Sequence, residues 1–475
     1  MGGTIVPPYS RQLIAPSGSN TMRSPREWLT DIRAVNGPVL AVLGDSISAR
    51  ASTLSGTRKS YNSIGIPTWL NILSGQRFNF PLANNFGVSG DRIDQIAARV
   101  PNVIAARPDI CLVLAGTNDI TQNTPLATMQ SGMTAILRDL LDAGILPIVI
   151  PILPRVTSGG ASTTGAQKRR LASFNTWLAE LCYGRADLVA AAGLTPRRLP
   201  IFVETRRALT DYTSATGEPL AGMLLDGLHP TAQGVYYVAT AILAVLDRLF
   251  PPRPTTLADV LDIYDATDNL TGNRLISGSN NYGLMAGTGG TLVTATGLVP
   301  TGAVATFWRA ARAIGAGNGS TLVLAKENPR TDGLGNGERQ RMTVTLGGSG
   351  GLASEKYAFY VSGVTSGFAA GDVVFAEIAY ELVGTPLNVQ AILTEITETG
   401  PASPQTAQDG CYDTTVGGTH VFPNVPHKGV LRTPPITLQP GFTGLNIGAV
   451  VLMNAVSNIG SADIYWSDYS LRKIA

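Results

Sequence analysis

Four short apolar runs dominate the first half of the 475-residue sequence, and turn-forming residues follow each of them. The runs span residues 38–43, 80–86, 109–115 and 146–153. Unbroken apolar runs of this length are typical of strands that are buried on both faces of a sheet. We therefore expect residues 38–250 to contain a parallel β-sheet.

Amphipathic helical patterns lie between and after these runs. In the clearest pattern, apolar residues recur three and four positions apart, which places them on one face of a helix. Its members are Leu126, Met129, Met133, Ile136, Leu137, Leu140 and Leu141. Residues 171–181 and 235–249 show the same spacing. Strands that alternate with helices predict an α/β fold in which helices cover both faces of the sheet.

The composition changes after the proline-rich segment 251–254, which ends the preceding helical pattern. Glycine, threonine, serine and asparagine dominate from there on, and residues 374–382 alternate between apolar and polar side chains. Such alternation indicates a half-buried strand, and many short strands separated by turn residues predict an antiparallel sandwich or jelly roll. We assign an irregular arm to residues 1–37, a linker to 251–264 and an all-β, jelly-roll-like sandwich domain to 265–475.

A serine stands directly after the first apolar run, in the segment Gly44-Asp45-Ser46, where open α/β sheets bind their ligands. A serine hydroxyl becomes a nucleophile when a base, usually histidine, accepts its proton. The chain has three histidines, and only His229 lies in the α/β region. Asp226 precedes it by three residues and can accept a hydrogen bond from the imidazole within one tight loop. We interpret Ser46, His229 and Asp226 as nucleophile, base and orienting acid.

The oxyanion that forms on an attacked carbonyl needs hydrogen-bond donors. Two further loops at strand ends supply candidates. The loop after the second run contains Gly87 and Gly90, and the missing side chain of a glycine lets the backbone N–H approach a ligand closely. The loop after the third run contains Asn118, which can offer its side-chain amide. The backbone N–H of Ser46 is the third candidate.

Four segments, in this order along residues 38–250, resemble the ordered blocks of the SGNH (GDSL-type) hydrolase family. They are Gly44-Asp45-Ser46, Ser89-Gly90-Asp91, Gly116-Thr117-Asn118-Asp119 and Asp226-Gly227-Leu228-His229-Pro230. The resemblance implies a flavodoxin-like three-layer α/β/α domain that hydrolyses esters or thioesters. It implies a catalytic set of Ser46, Asp226 and His229, and an oxyanion hole made by Ser46, Gly90 and Asn118. Gly87 is then the less favoured oxyanion glycine. The first block departs from the family motif only in having Ile47 in place of leucine.

The β-rich half suggests a substrate class. Sandwich modules beside such hydrolases often resemble carbohydrate-binding modules, so we expect a serine esterase that removes O-acetyl groups from a polysaccharide, an expectation based on analogy of fold. Two alternatives stay open: a general short-chain esterase, lipase or thioesterase, and a phage-tail or surface structural protein that carries an esterase domain. Four aromatic residues could stack on sugars, although such residues more often fill a sandwich core. They are Trp308, Tyr360, Tyr380 and Trp466.

Composition limits the remaining partners. Charged residues make up 14% of the chain, the net charge is +2 and no long basic run occurs, so we expect no nucleic-acid partner. No apolar run is long enough for a membrane span. No signal peptide is visible, and we favour an extracellular or virion-associated location. Cys411, His420 and His427 fit no zinc-site spacing, so we expect neither metal nor cofactor. The expected partner is an acylated carbohydrate or other ester, and a homo-oligomer, trimeric if phage-tail-like, is an open alternative.

Overall fold

The computed structural model describes most of the chain. The described residues are 37–156, 163–252, 257–277, 280–295, 298–314, 319–332, 337–347, 354–365, 367–411, 421–456 and 459–474. Residues 1–36 of the predicted arm, and His420, lie outside the described residues.

Short strands and helices alternate in the described part of residues 37–252. The strands are β1 (Leu40–Gly44), β2 (Ser52–Ser55), β3 (Arg58–Asn62), β4 (Asn85–Gly87), β5 (Ile110–Leu114), β6 (Leu146–Ile150) and β7 (Ile201–Phe202). The helices are α1 (Ser46–Ala49), α2 (Ile66–Leu73), α3 (Ile93–Ala97), α4 (Val100–Ala106), α5 (Thr117–Thr121), α6 (Leu126–Asp142), α7 (Gly165–Cys182), α8 (Ala186–Ala191) and α9 (Ala232–Leu246). Among the described residues, no helix combines the length and apolar character needed to cross a membrane.

Five of these strands form one sheet in which every pairing is parallel. The strand order is β4-β1-β5-β6-β7, so the five strands, counted along the chain, lie in the order 2-1-3-4-5. This is the strand order of flavodoxin-like folds. All residues of β1 and β5 are buried, which explains why their sequences are unbroken apolar runs. The predicted flavodoxin-like parallel sheet is confirmed.

Helices cover both faces of this sheet. Along β1, Leu40 and Val42 pack on one face and Ala41 and Leu43 on the other, because successive side chains of a strand point in opposite directions. The first face is covered by α2 and α9, and the second by α3, α4, α6, α7 and α8. The predicted three-layer arrangement is therefore confirmed.

One apolar run folds differently from its prediction. Residues 80–86 form a 3₁₀ turn at Leu82–Asn84 before the short strand β4 begins. Pro81 precedes that turn and has no N–H to donate to a neighbouring strand. The sheet is consequently shorter at this edge than the apolar pattern indicates.

The remainder of the chain consists mainly of strands. They are β8 (Ile276–Ser277), β9 (Asn280–Asn281), β10 (Gly289–Val293), β11 (Thr301–Gly302), β12 (Val304–Ile314), β13 (Thr321–Glu327), β14 (Arg339–Leu346), β15 (Ser354–Val364), β16 (Val373–Leu387), β17 (Val389–Thr399), β18 (Thr406–Cys411), β19 (His427–Arg432), β20 (Ile436–Thr437), β21 (Gly444–Asn454) and β22 (Gly460–Lys473). The predicted β-rich character of this half is confirmed.

Two large sheets pack face to face in this half. One has the order β10-β12-β15-β21-β17-β18-β3-β2, and the other has the order β11-β13-β14-β22-β16-β19. Tyr469 of β22 bridges them, since its ring lies 5.1 Å from that of Trp308 and its hydroxyl lies 3.1 Å from Thr394 Oγ1. Both sheets are mixed, because β10 pairs with β12, and β11 with β13, in parallel.

The aromatic residues considered above as sugar platforms lie mostly inside this sandwich. Trp308 and Trp466 are fully buried, Tyr380 is buried, and Tyr360 is half-buried. Trp308, Tyr380 and Trp466 belong to the core, which is the alternative that the sequence left open, whereas Tyr360 packs against a small separate cluster.

The eight-stranded sheet contains two strands from the first half of the chain. The hairpin β2–β3 follows α1 closely, and β3 pairs in parallel with β18, from Arg58 opposite Thr406 to Tyr61 opposite Asp409. A single apolar core also runs from α2 and α9 into the sandwich. The α/β part and the β-rich part therefore share both a sheet and a core.

Candidate active site

Three neighbouring strands, β4, β1 and β5, bring the predicted loops together at the carboxyl ends of the parallel sheet. Gly44 at the end of β1 lies beside Gly87 of β4 and Leu114 of β5, so the segments that follow leave the sheet side by side. Ser46 is the first residue of α1, and Asp45 caps that helix by accepting from the N–H of Ile47 at 3.0 Å. The hydroxyl-bearing residue is thus held on a rigid strand-to-helix turn.

Ser46, His229 and Asp226 form one hydrogen-bonded series. The Ser46 hydroxyl lies 2.7 Å from His229 Nε2, and His229 Nδ1 lies 2.7 Å from Asp226 Oδ2. The other carboxylate oxygen accepts from the backbone N–H groups of His229, at 2.9 Å, and Leu228, at 3.1 Å. When Nδ1 carries the ring proton and donates a hydrogen bond to Asp226, Nε2 is free to accept the serine proton.

A short hairpin presents Asp226 and His229. The N–H of Leu225 donates to the carbonyl of His229 at 2.7 Å, and the N–H of Thr231 donates to that of Met223 at 2.9 Å. Gly227 in the turn has φ of 82°, and a Cβ there would lie 2.5 Å from Val156 Cγ2. The tight turn therefore requires glycine between the two functional residues.

The charges of the pair suit proton transfer. Partial burial would raise the pKa of Asp226, but hydrogen bonds from the His229 N–H and imidazole hold it below its ordinary value. Burial lowers the pKa of His229, Asp226 opposes this by its hydrogen bond, and the positive charges of Arg50 and Arg155 lower it further. His229 is therefore neutral at neutral pH, the form that accepts a proton.

The two glycines considered as oxyanion donors, Gly87 and Gly90, have different surroundings. The Gly87 N–H donates to Asn85 Oδ1 at 3.1 Å, and a Cβ on Gly87 would lie 2.2 Å from the Ala49 nitrogen. Gly87 thus allows β4 to approach α1 closely, and its N–H is engaged. Gly90 is exposed with φ of 88°, and no residue in the described part of the chain accepts from its N–H. This geometry favours Gly90 as a donor to a ligand.

Asn118 is half-buried at the N-terminal end of α5. Its Nδ2 donates to the carbonyl of Asp91 at 2.9 Å, which links its loop to the one that carries Gly90. An amide nitrogen has two N–H groups, so one remains for a ligand oxygen. The neighbouring Asp119 accepts from the N–H of Ile93 at 2.9 Å and thereby begins α3, which is a structural role.

A sequence model of the GDSL-like lipase/acylhydrolase family matches residues 42–235. These residues form a GDSL-like lipase/acylhydrolase domain. The matched range includes Ser46, Gly90, Asn118, Asp226 and His229, and it ends inside α9.

Several solved structures resemble the GDSL domain. A lipase/acylhydrolase from Enterococcus faecalis is 15% identical and covers 46% of this chain and 100% of its own, with a TM-score of 0.34. A GDSL-like lipase from Bacteroides thetaiotaomicron is 16% identical and covers 47% and 97%, with a TM-score of 0.33. An acetylxylan esterase from Geobacillus stearothermophilus is 18% identical and covers 45% and 94%, with a TM-score of 0.33. A search of curated proteins gave no match. Similarities at this level say nothing about the substrate.

Arg99 links the ends of β1 and β4 in the GDSL domain to the loop that follows β4. Its guanidinium donates to the carbonyls of Gly44, at 2.9 Å, and Phe86, at 3.1 Å, and it pairs with the carboxylate of Asp91. It thus ties the ends of β1 and β4 to the segment that carries Gly90. An arginine between two short helices carries no local sequence signal of this role, so Arg99 could not be predicted.

Arg155 and Asp45 are two further buried charged residues near the site. Arg155 donates to the Thr117 carbonyl at 3.2 Å and to Thr121 Oγ1 at 2.9 Å. Its position just beyond the fourth apolar run is a sequence signal from which Arg155 could have been predicted. Burial raises the pKa of Asp45 to about 6 although the Ile47 N–H opposes it. Among the described residues, no group of histidine, cysteine, aspartate or glutamate side chains could hold a metal ion.

Proposed function

We propose that this chain is a serine esterase that uses Ser46 as nucleophile, and that its substrate is an O-acetylated polysaccharide. The observation that carries the esterase part is the unbroken series from the Ser46 hydroxyl through His229 to Asp226, with both contacts at 2.7 Å. Such a series turns a weakly nucleophilic hydroxyl into an attacking group.

The proposed reaction has two stages. Ser46 Oγ attacks the ester carbonyl while His229 Nε2 takes the hydroxyl proton, and the resulting imidazolium is stabilised by Asp226. The N–H groups of Ser46 and Gly90 and the amide of Asn118 hold the oxyanion. The alcohol leaves with a proton from His229, and a water molecule, activated by the same imidazole, then hydrolyses the acyl-enzyme.

The rim of the site supports a small acyl group on a large alcohol. Val88, Ser89 and Gly90 are exposed, and the Asp226 side chain is 41% exposed beside His229. An open rim admits a polymer chain across the site, whereas a long acyl chain needs an apolar channel to leave water. The β-rich half, which shares a sheet with the hairpin β2–β3, supports a polysaccharide partner by analogy of fold.

Acetate release tests both parts of the proposal. The full chain is incubated with acetylated polysaccharides and, separately, with 4-nitrophenyl esters of increasing acyl length. We expect acetate from at least one polysaccharide, a preference for the shortest acyl chain, and no turnover by Ser46→Ala. Hydrolysis of long-chain esters alone would refute the carbohydrate part. Turnover by Ser46→Ala at the wild-type rate would refute the assignment of the nucleophile.

The alternatives named above are separated by two measurements. A general short-chain esterase would hydrolyse the soluble esters and release no acetate from any polymer. A phage-tail-type protein would be a trimer, which light scattering on the full chain detects, and a monomer would contradict that alternative.

A further inference from the structure

We propose that the β-rich half positions the catalytic histidine of the GDSL domain. The segment between β18 and β19, through Val421 and Phe422, supports the hairpin that carries Asp226 and His229. Val421 and Phe422 act here as positioning residues, and the proposal rests on the function proposed above.

Val421 contacts the chain on both sides of the hairpin. Its carbonyl accepts from the N–H of Gln233, in the first turn of α9, at 2.9 Å. Its side chain packs on Gly222, where a Cβ would lie 3.5 Å from Val421 Cγ1. The Gly222 carbonyl in turn accepts from the hydroxyl of Thr231 at 2.7 Å. One residue of the β-rich half therefore fixes the chain just before and just after the catalytic turn.

Phe422 joins an aromatic cluster that spans the two halves. The Trp69 ring of α2 lies 5.5 Å from Phe422, 5.4 Å from His427 of β19 and 5.3 Å from Tyr236 of α9. Tyr380 of β16 lies 5.6 Å from His427. Trp69 is 1% exposed and, like Phe422, belongs to the apolar core that the two halves share, so this cluster holds α2 and α9 against the sandwich.

Helix α2 lies directly on the sandwich sheet. A Cβ on Gly429 of β19 would lie 2.5 Å from the Ile72 carbonyl, so glycine is needed for this approach. Beyond the helix end, Gln76 Nε2 donates to the Val430 carbonyl at 2.5 Å and to Asp409 at 3.3 Å. These contacts leave the helix little freedom to shift.

The two sides of the catalytic contact are supported separately. Ser46 follows β1, whose end is held by Arg99 within the GDSL domain. His229 depends on the hairpin, whose Leu225 packs on Ile64 just before α2, and whose outer support is Val421. A misplacement of about 1 Å between reacting groups can cost roughly 100-fold in rate. The alignment of His229 on Ser46 therefore depends on the β-rich half.

The first test compares two phenylalanine truncations in the full chain. Phe422→Ala removes the contact with Trp69, whereas Phe359→Ala removes a buried ring that stacks on Trp308 at 4.4 Å inside the sandwich. At temperatures where both variants are folded, we expect Phe422→Ala to lower kcat for 4-nitrophenyl acetate about 10- to 100-fold with KM little changed. Phe359→Ala keeps the wild-type kcat, and Phe422→Leu recovers part of the loss. Equal kcat values for wild type and Phe422→Ala would overturn the proposal.

A second pair of variants tests one hydrogen bond, from the Gln233 N–H to the Val421 carbonyl. Gln233→Pro removes the N–H that donates to Val421, and Gln233→Ala keeps it. Proline is tolerated in the first turn of a helix, and α2 and α4 already carry Pro67 and Pro101 at the same helix position. We expect a loss of kcat for the proline variant relative to the alanine variant. Equal kcat values for Gln233→Pro and Gln233→Ala would overturn the role of this hydrogen bond. If Phe422→Ala fails to fold, the comparison of these two variants tests the proposal instead.

A third readout needs no substrate. The proton between His229 Nδ1 and Asp226 should give a downfield NMR signal in the wild type and in Phe359→Ala, and that signal should shift or disappear in Phe422→Ala. An unchanged signal together with an unchanged kcat refutes the positioning role. If the wild type hydrolyses no ester while the signal still responds to Phe422→Ala, the proposed function fails and the positioning role stands.

Discussion

We expect the stability of this protein to depend on pH through one buried imidazole, that of His427. Its side chain lies among the rings of Trp69, Tyr236, Tyr380 and Phe422, and its Nδ1 is 2.9 Å from the Val425 carbonyl, to which it donates. Burial lowers the pKa of His427 from its ordinary 6.5 to about 4, against the opposing hydrogen bond to Val425. The folded protein therefore holds this residue in its neutral form.

The size of the effect follows from proton linkage. The unfolded chain binds a proton at His427 once the pH falls below about 6.5, whereas the folded protein does so only near pH 4. The stabilising contribution is complete above the higher value and is lost as the pH falls to the lower one. A pKa difference of about 2.5, at about 1.36 kcal/mol for each unit, corresponds to a loss of about 3 kcal/mol.

Urea unfolding of the wild type and of His427→Leu, in the full chain and from neutral pH down to about pH 4, measures this contribution. Nearby Asp409, whose pKa burial raises to about 8, is present in both proteins, so its effect cancels in their difference. Between neutral pH and about pH 4, we expect the wild type to lose about 3 kcal/mol more unfolding free energy than His427→Leu loses. Parallel pH curves would refute the reasoning, as would an NMR titration in which His427 changes charge near 6.5.

Three further predictions concern the catalytic site. Asn118→Ala should lower kcat for a soluble ester about 100- to 1000-fold, because one oxyanion donor is lost; steady-state kinetics check this, and a smaller effect would remove Asn118 from the oxyanion hole. Arg99→Lys should lower kcat with KM nearly unchanged, since a lysine cannot reach the carbonyls of Gly44 and Phe86 and the Asp91 carboxylate together. An Arg99→Lys variant with the kcat of the wild type would contradict this. The rate profile kcat/KM should rise with pH through a value below 6.5, because burial lowers the pKa of His229; a midpoint above 6.5 would contradict the neutral imidazole.

The sequence predicted the structure best where burial restricts a segment to apolar side chains. The runs that became β1 and β5 are buried along their whole length, and the stripe on α6 follows the helical period, so both elements could be recognised locally. The segments around Ser46 and His229 were recognisable from their neighbours, since Ser46 directly follows a strand and His229 lies beside turn residues just before α9. The geometry then joined Ser46, His229 and Asp226 by hydrogen bonds.

The features that escaped prediction depend on contacts between distant parts of the chain. The strands of the hairpin β2–β3, Ser52–Ser55 and Arg58–Asn62, are largely polar and show no clear period, and the partner strand Thr406–Cys411 lies hundreds of residues away. Arg99 donates to backbone carbonyls, and since every residue has one, the sequence does not indicate which carbonyls it contacts. From the sequence, Trp308 and Trp466 could either bind a ligand or fill a core. The packing of the two sheets buries both residues and places them in the core.

The pairing of β3 with β18 has a consequence for how the protein is made. Arg58 and Thr406 are separated by roughly 350 residues, and synthesis at about 5–20 residues per second leaves the edge of β3 unpaired for roughly 20 to 70 seconds. During that interval the ring of Trp69 also lacks its partners Phe422 and His427. The nascent first half therefore exposes a strand edge and an aromatic surface, both of which favour aggregation. A ribosome that stops before β18 would release a chain that chaperones must hold.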